Sequence, residues 1–314
     1  MEHFVTLFDK FFLPQGLSLQ MSMERHIDKY CLWIISLDSE TYNILNNLNL
    51  QHCKILFVDD FEDNQLKEVK KNRSRNEYCW TLTPHSPKFV FSKDESISRV
   101  TYIDADIWFR KCPKPIFQEI ENLNIGVLIT DHSYSPEYDQ SLTSGQYCVQ
   151  FMTFYRKDGE IVRKWWEDRC IEWCYNRIED GKFGDQMYLN DWPERFGERV
   201  YVLKDKERIL APWNASRFPF GNSIVFHFHG LRLLSKQRVS IGSYYLPDVV
   251  IKNIYNLYLN DIKEAIRILE NKGIKFMPQA TNSLTLIQWF KNKYIILKRI
   301  ISLINISTTL KLNS

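Results

Sequence analysis

Apolar runs alternate with amphipathic segments along the first part of the chain. The runs predict strands at 4–8, 29–37 and 53–60. The segments between and after them predict helices at 17–26, 39–50 and 63–74, the second capped by Asp38 or Ser39. Strands that alternate with helices and end in polar residues are typical of an open α/β sheet whose ligand site lies at the carboxyl edge.

Later apolar runs predict further strands and a helical C-terminal part. Strands are expected at 100–109, 125–131, 147–156, 200–205 and 223–230. Helices are expected at 159–177, around 186–192 and at 253–272. We therefore predict one main domain over residues 1–240 and a helical extension over residues 241–314.

The C-terminal tail carries a distinct pattern. Its apolar residues recur at spacings of three and four and define one stripe, at positions 287, 290, 294, 297, 301 and 304. Lysines and an arginine surround the stripe. Three interpretations remain open: a helix packed on the main domain, a basic amphipathic helix on an anionic membrane surface, and a helix–helix dimer contact.

Composition and charge narrow the class of protein. The chain has 314 residues, of which 44% are apolar and 25% charged, as in an ordinary globular protein. The net charge of +3 is uneven, because seven Lys or Arg and no Asp or Glu follow residue 270. The body is therefore mildly acidic, which argues against nucleic-acid binding, since such proteins carry a basic stripe through the fold.

Cysteine usage and the N-terminus indicate a compartment. The seven cysteines form no Cys-x-x-Cys pair and no evenly spaced framework, so we expect them to be reduced and the protein to be cytoplasmic. The N-terminal segment has no cationic leader, so no signal peptide is expected. No stretch reaches about 18 uncharged apolar residues, so no membrane-spanning helix is expected either.

Two carboxylates, Asp104 and Asp106, directly follow the apolar run "VTYI". Carboxylates are costly to bury unless a cation, a proton or a set of donors meets them. The pair is therefore either a solvated strand end or part of a divalent metal site. His227, in "HFHG" at the end of a late strand, can supply a third ligand if the sheet brings both strand ends together. Such a set leaves positions open for a diphosphate on Mn²⁺ or Mg²⁺.

Three motifs in order, "YIDADIWF", "GDQMYLND" and "HFHG", resemble those of GT-A-fold glycosyltransferases, most closely the retaining family 8. The resemblance spans residues 4–235 and rests on motifs. It implies a Rossmann-like fold of the nucleotide-diphospho-sugar transferase type: a mixed α/β sheet flanked by helices. It also implies transfer of a hexose from a nucleotide sugar, UDP-linked in this family, with retention of anomeric configuration.

The resemblance assigns roles to five residues. Asp104, Asp106 and His227 would bind Mn²⁺ or Mg²⁺, and Asp104 would also reach the donor ribose or sugar. The family's Asp-Gln pair matches Asp185 and Gln186. Asp185 would bond the donor-sugar hydroxyls, and Gln186 would lie beneath the anomeric carbon. The alternative is that Gly184-Asp185 only caps a helix.

Further donor contacts are implied less directly. Thr6 and Asp9, at the end of the first strand, would hold the nucleobase and ribose. Arg73 or Arg75 would supply a cation to the donor. Asp131 lies where the family often has an acid near the sugar.

The chain departs from the family pattern at two places. The family's Asn-x-Gly is replaced by Cys148 and Gln150, which puts one donor-sugar hydrogen bond in doubt. The phosphate-binding lysine that follows the His-x-x-Gly motif is missing, so we expect Gly230 and Arg232 to serve the phosphate instead. Trp213, in "APWNASRF", is either a stacking wall of the site or a core residue.

The implied partners are a nucleotide sugar and a glycan or lipid-linked acceptor, in bacterial surface polysaccharide synthesis. The basic tail would approach the inner face of the plasma membrane. Two alternatives remain. One is an inactive nucleotide- or sugar-binding homologue. The other is a haloacid-dehalogenase-type phosphatase, which requires a Thr where this chain has Trp108.

Overall fold

The computed structural model describes residues 1–218 and 221–279 and the backbone of 309–311. The strands are β1 Glu2–Phe8, β2 Tyr30–Ser36, β3 Cys53–Phe57, β4 Arg99–Ile103, β5 Ile107–Phe109, β6 Val127–Asp131, β7 Tyr147–Tyr155, β8 Val200–Val202, β9 Ile209–Leu210, β10 Val225–His227, β11 Arg232–Ser235, β12 Arg238–Ser240 and β13 Thr309–Lys311. The helices are α1 Leu13–His26, α2 Ser39–Leu48, α3 Asn64–Lys70, α4 Arg75–Leu82, α5 Ser86–Lys93, α6 Lys114–Gln118, α7 Ser141–Ser144, α8 Glu160–Glu172, α9 Trp192–Phe196, α10 Asp248–Val250 and α11 Asn256–Asn271.

A seven-stranded mixed sheet forms the centre of the protein, in the order β3-β2-β1-β4-β7-β6-β8. The first four strands in that order run parallel, whereas β7 is antiparallel to both β4 and β6. The predicted mixed α/β sheet flanked by helices is confirmed.

Alternation along the strands divides the core between the two faces of this sheet. In β1, Val5 and Leu7 pack with one cluster, while Phe4 and Phe8 pack with the other. Every residue of β2 is buried, because both faces of this strand are covered. The continuous apolar run at 29–37 therefore predicted its strand correctly.

Polar caps fix where several helices begin. The side chain of Asp38 accepts a hydrogen bond from the backbone N–H of Thr41 at 2.7 Å, as expected for an N-cap. Ser74 and Glu77 form a reciprocal capping box at the start of α4. This second cap explains why the predicted helix at 63–74 ends early, at Lys70, and why another helix follows it.

The prediction of one strand over 100–109 was wrong in its second half. The chain turns at Asp104, and β5 leaves the central sheet to pair antiparallel with β10. The β5-β10-β9 sheet is separate and small. As a result, the Asp-x-Asp motif lies in the crossing between two sheets, not at the end of a continuous strand.

The C-terminal part packs against this second sheet. Phe226 and Phe228 join Tyr255 and Tyr258 in a third hydrophobic cluster, and the rings of Phe228 and Tyr258 stack. The predicted helix at 253–272 is confirmed as α11, with a π-helical turn before it. The division at residue 240 stays a prediction. The apolar stripe of the tail lies outside the described residues.

Within the described part of the chain, no helix is long and apolar enough to cross a membrane.

Candidate metal and donor-sugar site

Two backbone connections bring the Asp-x-Asp motif to His227. The Asp104 N–H donates to the carbonyl of Gln150 on β7 at 3.1 Å, and the Phe228 N–H donates to the carbonyl of Asp106 at 2.9 Å. The antiparallel register pairs His227 with Ile107. His227 Nε2 consequently lies 3.1 Å from Oδ1 of Asp106 and 3.6 Å from Oδ2 of Asp104.

The three side chains form a compact cluster whose two carboxylates are partly exposed. One ligand atom from each lies within 4.8 Å of the others. The imidazole is 6% exposed, whereas the Asp104 and Asp106 side chains are 29% and 14% exposed. A ligand therefore approaches the carboxylates from solvent while the imidazole forms the inner wall.

The charges within this triad are strongly coupled. Partial burial alone raises the pKa of Asp106, but the charge of His227 and its hydrogen bond outweigh that effect and bring the pKa to about 2. Burial alone lowers the pKa of His227, and the two carboxylates reverse this and raise it well above its ordinary value. Without another cation, a proton on His227 balances the carboxylates.

Two neighbours of the triad did not appear among the predicted site residues. Tyr102 donates its hydroxyl to Oδ1 of Asp104 at 2.8 Å. Tyr102 lies on β4, two residues before Asp104, so the alternation of side chains along a strand could have predicted that the two side chains share a face. Gln150 contacts His227, with 2.7 Å between its Oε1 and His227 Nδ1. This contact depends on the register of β7, which the sequence pattern does not reveal.

Asp185 and Gln186 lie on the segment before a short 3₁₀ helix, Met187–Asp191. Asp185 is buried, and burial together with the negative charge of Asp104 raises its pKa well above the ordinary value. Gln186 donates to the carbonyl of Ser144 at 2.6 Å. No side chain caps the N-terminus of this 3₁₀ helix, so the interpretation of Asp185 as a helix cap does not hold.

The structure separates the four predicted nucleotide contacts. Asp9 pairs with Arg75, whose guanidinium also lies over the ring of Phe11 at 4.3 Å. Thr6 is fully buried and offers no exposed atom to a ligand. Arg73 bonds backbone carbonyls at the end of α8, including that of Cys174 at 3.0 Å. Of the two candidate arginines, Arg75 alone joins a predicted nucleotide contact.

The remaining predicted donor residues lie on other loops. Asp131 accepts from the Ser133 N–H at 2.6 Å and pairs with Lys206 at 3.1 Å, so its carboxylate is already engaged. Gly230 has a φ of 78°, a conformation that favours glycine. The Arg232 guanidinium donates to the carbonyl of Leu231 at 2.8 Å and lies 5.9 Å from the centre of the Phe12 ring, and its positive charge lowers the pKa of Asp106.

An aromatic cluster adjoins His227. Trp213 is 3% exposed and donates its indole N–H to the carbonyl of His132 at 2.9 Å, so the stacking-wall interpretation of Trp213 was wrong. Its ring instead supports His229 and Tyr244, at centroid distances of 5.3 and 6.5 Å. Tyr244 meets Tyr138 edge to face at 5.0 Å. The half-exposed tyrosines, not the tryptophan, form the accessible surface.

The donor set of the triad fits a hard divalent cation. Carboxylate oxygens suit Mg²⁺ and Mn²⁺, and an imidazole nitrogen is also a ligand for first-row metals such as Mn²⁺. Three protein ligands leave room for oxygens of a bound molecule. Arg232 would add a second positive group next to the same space. The arrangement can therefore hold a cation and an anionic ligand together.

Comparison with known proteins identifies the class that this fold and site define. The family model described as "Glycosyl transferase family 8" matches residues 17–165, a range that contains Asp104 and Asp106 but ends before His227. The resemblance to this family inferred from the sequence motifs is confirmed. The protein is a glycosyltransferase, and the phosphatase alternative was wrong.

Solved structures support the fold. Mouse xyloside xylosyltransferase 1 in its apo form is 14% identical, with a TM-score of 0.50 over 73% of this chain and 98% of that chain. Galactosyltransferase LgtC, crystallised with donor and acceptor sugar analogues, is 11% identical, with a TM-score of 0.50 over 73% of this chain and 87% of that chain. At such identities the likeness concerns the fold alone, which is GT-A.

Curated relatives cover more of the chain. "Uncharacterized protein YfnD" of Bacillus subtilis (strain 168) is 28% identical over 284 residues, which are 84% of this chain and 89% of the relative. "Uncharacterized protein YfnF" of the same strain is 29% identical over 251 residues, which are 74% of this chain and 82% of the relative. The similarity to these bacterial proteins therefore extends well beyond residue 165.

Proposed function

We propose that the protein transfers a hexose from a nucleotide sugar, UDP-linked in our assignment, to a hydroxyl group of a glycan or lipid-linked acceptor, with a divalent cation at Asp104, Asp106 and His227. The observation that carries this proposal is the convergence of two carboxylates and one imidazole within 4.8 Å at the open edge of a GT-A fold. A cation there would neutralise charge that develops on a departing diphosphate.

The residues around the triad divide the remaining work. Asp104, Asp106 and His227 would hold the cation. We assign Arg232, whose positive charge acts on Asp106, to the phosphate oxygens in place of the missing family lysine. The Asp9 carboxylate, which pairs with Arg75, is suited to accept hydrogen bonds from the hydroxyl groups of a ribose.

Asp185 and Gln186 are assigned to the donor sugar. The carboxyl group of Asp185 is buried, and burial together with the charge of Asp104 raises its pKa; its oxygens can accept hydrogen bonds from sugar hydroxyls. The Gln186 side chain is held by the Ser144 carbonyl, which limits its motion. We assign Gln186 to the face beneath the anomeric carbon, with retention of configuration as in family 8.

The acceptor is assigned to the aromatic surface next to His229. Tyr138 and Tyr244 are half-buried, so each leaves part of its ring accessible, while its hydroxyl accepts a hydrogen bond, from the Tyr245 N–H at 2.6 Å and from the Gln140 side chain at 3.4 Å respectively. Rings with polar edges suit a pyranose, which has apolar C–H faces and equatorial hydroxyls. We accordingly favour a saccharide acceptor and, by family resemblance, a place in bacterial surface polysaccharide synthesis. The membrane role of the tail stays a prediction.

Turnover of a panel of nucleotide sugars tests this function. The purified chain is incubated with each sugar and Mn²⁺, and release of the nucleoside diphosphate is measured with and without chelator. We expect release from at least one UDP-sugar that needs the metal and falls by more than about 100-fold in Asp106→Asn. Asp168→Asn, an exposed residue paired with Lys164, is the matched control and should retain activity.

A different result would reject the proposal. If release of the diphosphate is unaffected by chelator and by Asp106→Asn alike, the three side chains do not form the metal site of this enzyme.

A further inference from the structure

Gln150 is a buried residue that contacts both Asp104 and His227 of the proposed metal site. Its carbonyl accepts the Asp104 N–H at 3.1 Å, and its side-chain Oε1 lies 2.7 Å from Nδ1 of His227. The residue is fully buried on β7. One residue thus contacts the backbone of the first carboxylate and the ring of the imidazole.

We propose that Gln150 is a positioning residue of the metal site: its Oε1 accepts the Nδ1 proton of His227, which fixes the ring and leaves Nε2 to bind the cation. This inference rests on the proposed function, because it assumes that the triad binds a metal. Second partners of metal-bound imidazoles commonly fix the tautomer and the ring orientation in this way.

The hydrogen-bonding capacities of the groups support this tautomer. An amide oxygen only accepts, so the atom that faces it at 2.7 Å must carry a proton. A neutral imidazole has one N–H, and with that proton on Nδ1 the Nε2 lone pair points to the carboxylates. Three acceptor atoms then converge, at 3.1 and 3.6 Å from Nε2, and such a set is satisfied by a proton on Nε2 or by a bound cation in its place.

Cys148 is the alternative partner for the ring. It lies two residues before Gln150 on the same face of β7, and its thiol also interacts with His227. Sulfur is a weak hydrogen-bond acceptor, whereas an amide oxygen is a strong one. Gln150 is therefore the partner that orients the ring, and Cys148 packs beside it.

The two ends of the Gln150 amide differ in their contacts, since Oε1 faces His227 and Nε2 does not. The Nε2 group is buried and has no hydrogen-bond partner among the described residues, so its replacement by oxygen sacrifices no bond. Gln150→Glu keeps the acceptor that faces His227, while Gln150→Leu removes it with little change in volume. The pair separates loss of the acceptor from simple repacking.

The test is a Mn²⁺ titration of the full chain without nucleotide sugar, followed by electron paramagnetic resonance of free Mn²⁺. We expect Gln150→Leu to weaken Mn²⁺ binding by about 10- to 100-fold and Gln150→Glu to preserve or strengthen it. Gln15→Leu is the matched control, because Gln15 is also buried but its amide has no partner in the described structure. Wild-type affinity in Gln150→Leu would overturn the inference.

Asp106→Asn in the same titration distinguishes failure of the proposed metal site from failure of the positioning role of Gln150. If it leaves Mn²⁺ binding intact, the proposed metal site itself is wrong. If it abolishes binding while Gln150→Leu does not weaken it, only the positioning role is wrong.

A second measurement does not depend on whether the Gln150 variants fold. Long-range ¹H–¹⁵N spectra of the wild-type protein with Mg²⁺ report which ring nitrogen of His227 carries the proton, and His227→Gln assigns the signal. We expect protonation at Nδ1 only. Protonation at Nε2 in the metal-loaded protein would overturn the inference.

Discussion

His227 and Asp106 lie 3.1 Å apart because β10 pairs antiparallel with β5 outside the central sheet. The short strand β5 begins directly after the Asp-x-Asp turn, so the pairing that positions the imidazole also fixes the carboxylates. The sequence order of the two motifs gives no hint of this arrangement. The site is therefore built by the small sheet, and the central sheet supplies its support.

The two arginines of the "NRSRN" segment are expected to have different roles. Arg73→Ala removes charged hydrogen bonds to three carbonyls at the end of α8, so it should lower the free energy of unfolding by about 1.5–3 kcal/mol. Arg75→Ala removes the half-exposed guanidinium that pairs with the buried Asp9 carboxylate and opens that carboxylate to water, so it should raise the donor KM about tenfold with little loss of stability. Urea unfolding and donor kinetics on both variants check this.

The reverse result would contradict that assignment. If Arg73→Ala raises the donor KM and leaves stability unchanged, Arg73 contacts the donor and the carbonyl bonds are incidental.

Tyr244→Ala is expected to affect the acceptor but not the donor. Loss of its ring should reduce transfer to a saccharide about tenfold, since one well-packed aromatic contact is worth about 1 kcal/mol or more. Hydrolysis of the nucleotide sugar by water should change less than about twofold, because the Tyr244 ring lies near His229, at a centroid distance of 6.4 Å, and is not one of the three proposed metal ligands. Parallel assays of transfer and hydrolysis measure both, and Tyr245→Ala, at an exposed neighbour, is the control.

Equal losses of transfer and hydrolysis in Tyr244→Ala would mean that this surface supports the donor side, and the acceptor assignment would have to be abandoned.

Stability at low pH is expected to depend on Glu167. Burial alone raises its pKa, but the charges of His85 and Arg163 outweigh burial and bring it to about 2. A carboxyl with a depressed folded pKa stabilises the protein fully above its unfolded value, near 4.3, and loses that contribution as the pH falls toward 2. Glu167→Gln should therefore lower the free energy of unfolding at pH 7, by about 3 kcal/mol.

The difference between wild type and Glu167→Gln should then shrink as the pH is lowered from about 4.5 toward 2, in urea unfolding series at each pH. His85, whose pKa burial lowers to about 4, lies 3.5 Å from Glu167 and titrates in the same window, so the difference between the two proteins reports the coupled titration of Glu167 and His85. Glu172→Gln, exposed on the same helix, is the control. A difference that does not change with pH would contradict the assigned pKa.

The spacing of apolar and polar residues predicted those helices and strands whose whole signal lies within one continuous segment of the sequence. The buried run of β2, the cap at Asp38 and the amphipathic α11 each carry their own signal. The departure of β5 from the central sheet carries none, because Ile107 to Phe109 are apolar and buried in either arrangement.

Contacts between distant strands account for the site residues that the sequence did not reveal. Gln150 meets His227 only through the register of β7, and Arg73 contacts α8 only after the helices pack. Trp213 has the same sequence neighbours whether it lines a pocket or lies beneath one. The local motif placed Asp104, Asp106 and His227 as candidates, but it could not say which neighbours would hold them.

Binding of UDP with and without Mn²⁺ tests the central claim most directly, because the triad is assigned to a cation that binds a diphosphate. Calorimetry on the wild-type chain should give UDP affinity at least about tenfold higher with Mn²⁺ than with chelator, a coupling of about 1.4 kcal/mol. Asp106→Asn should remove this difference. Equal UDP affinity with Mn²⁺ and with chelator in the wild-type protein would contradict the account.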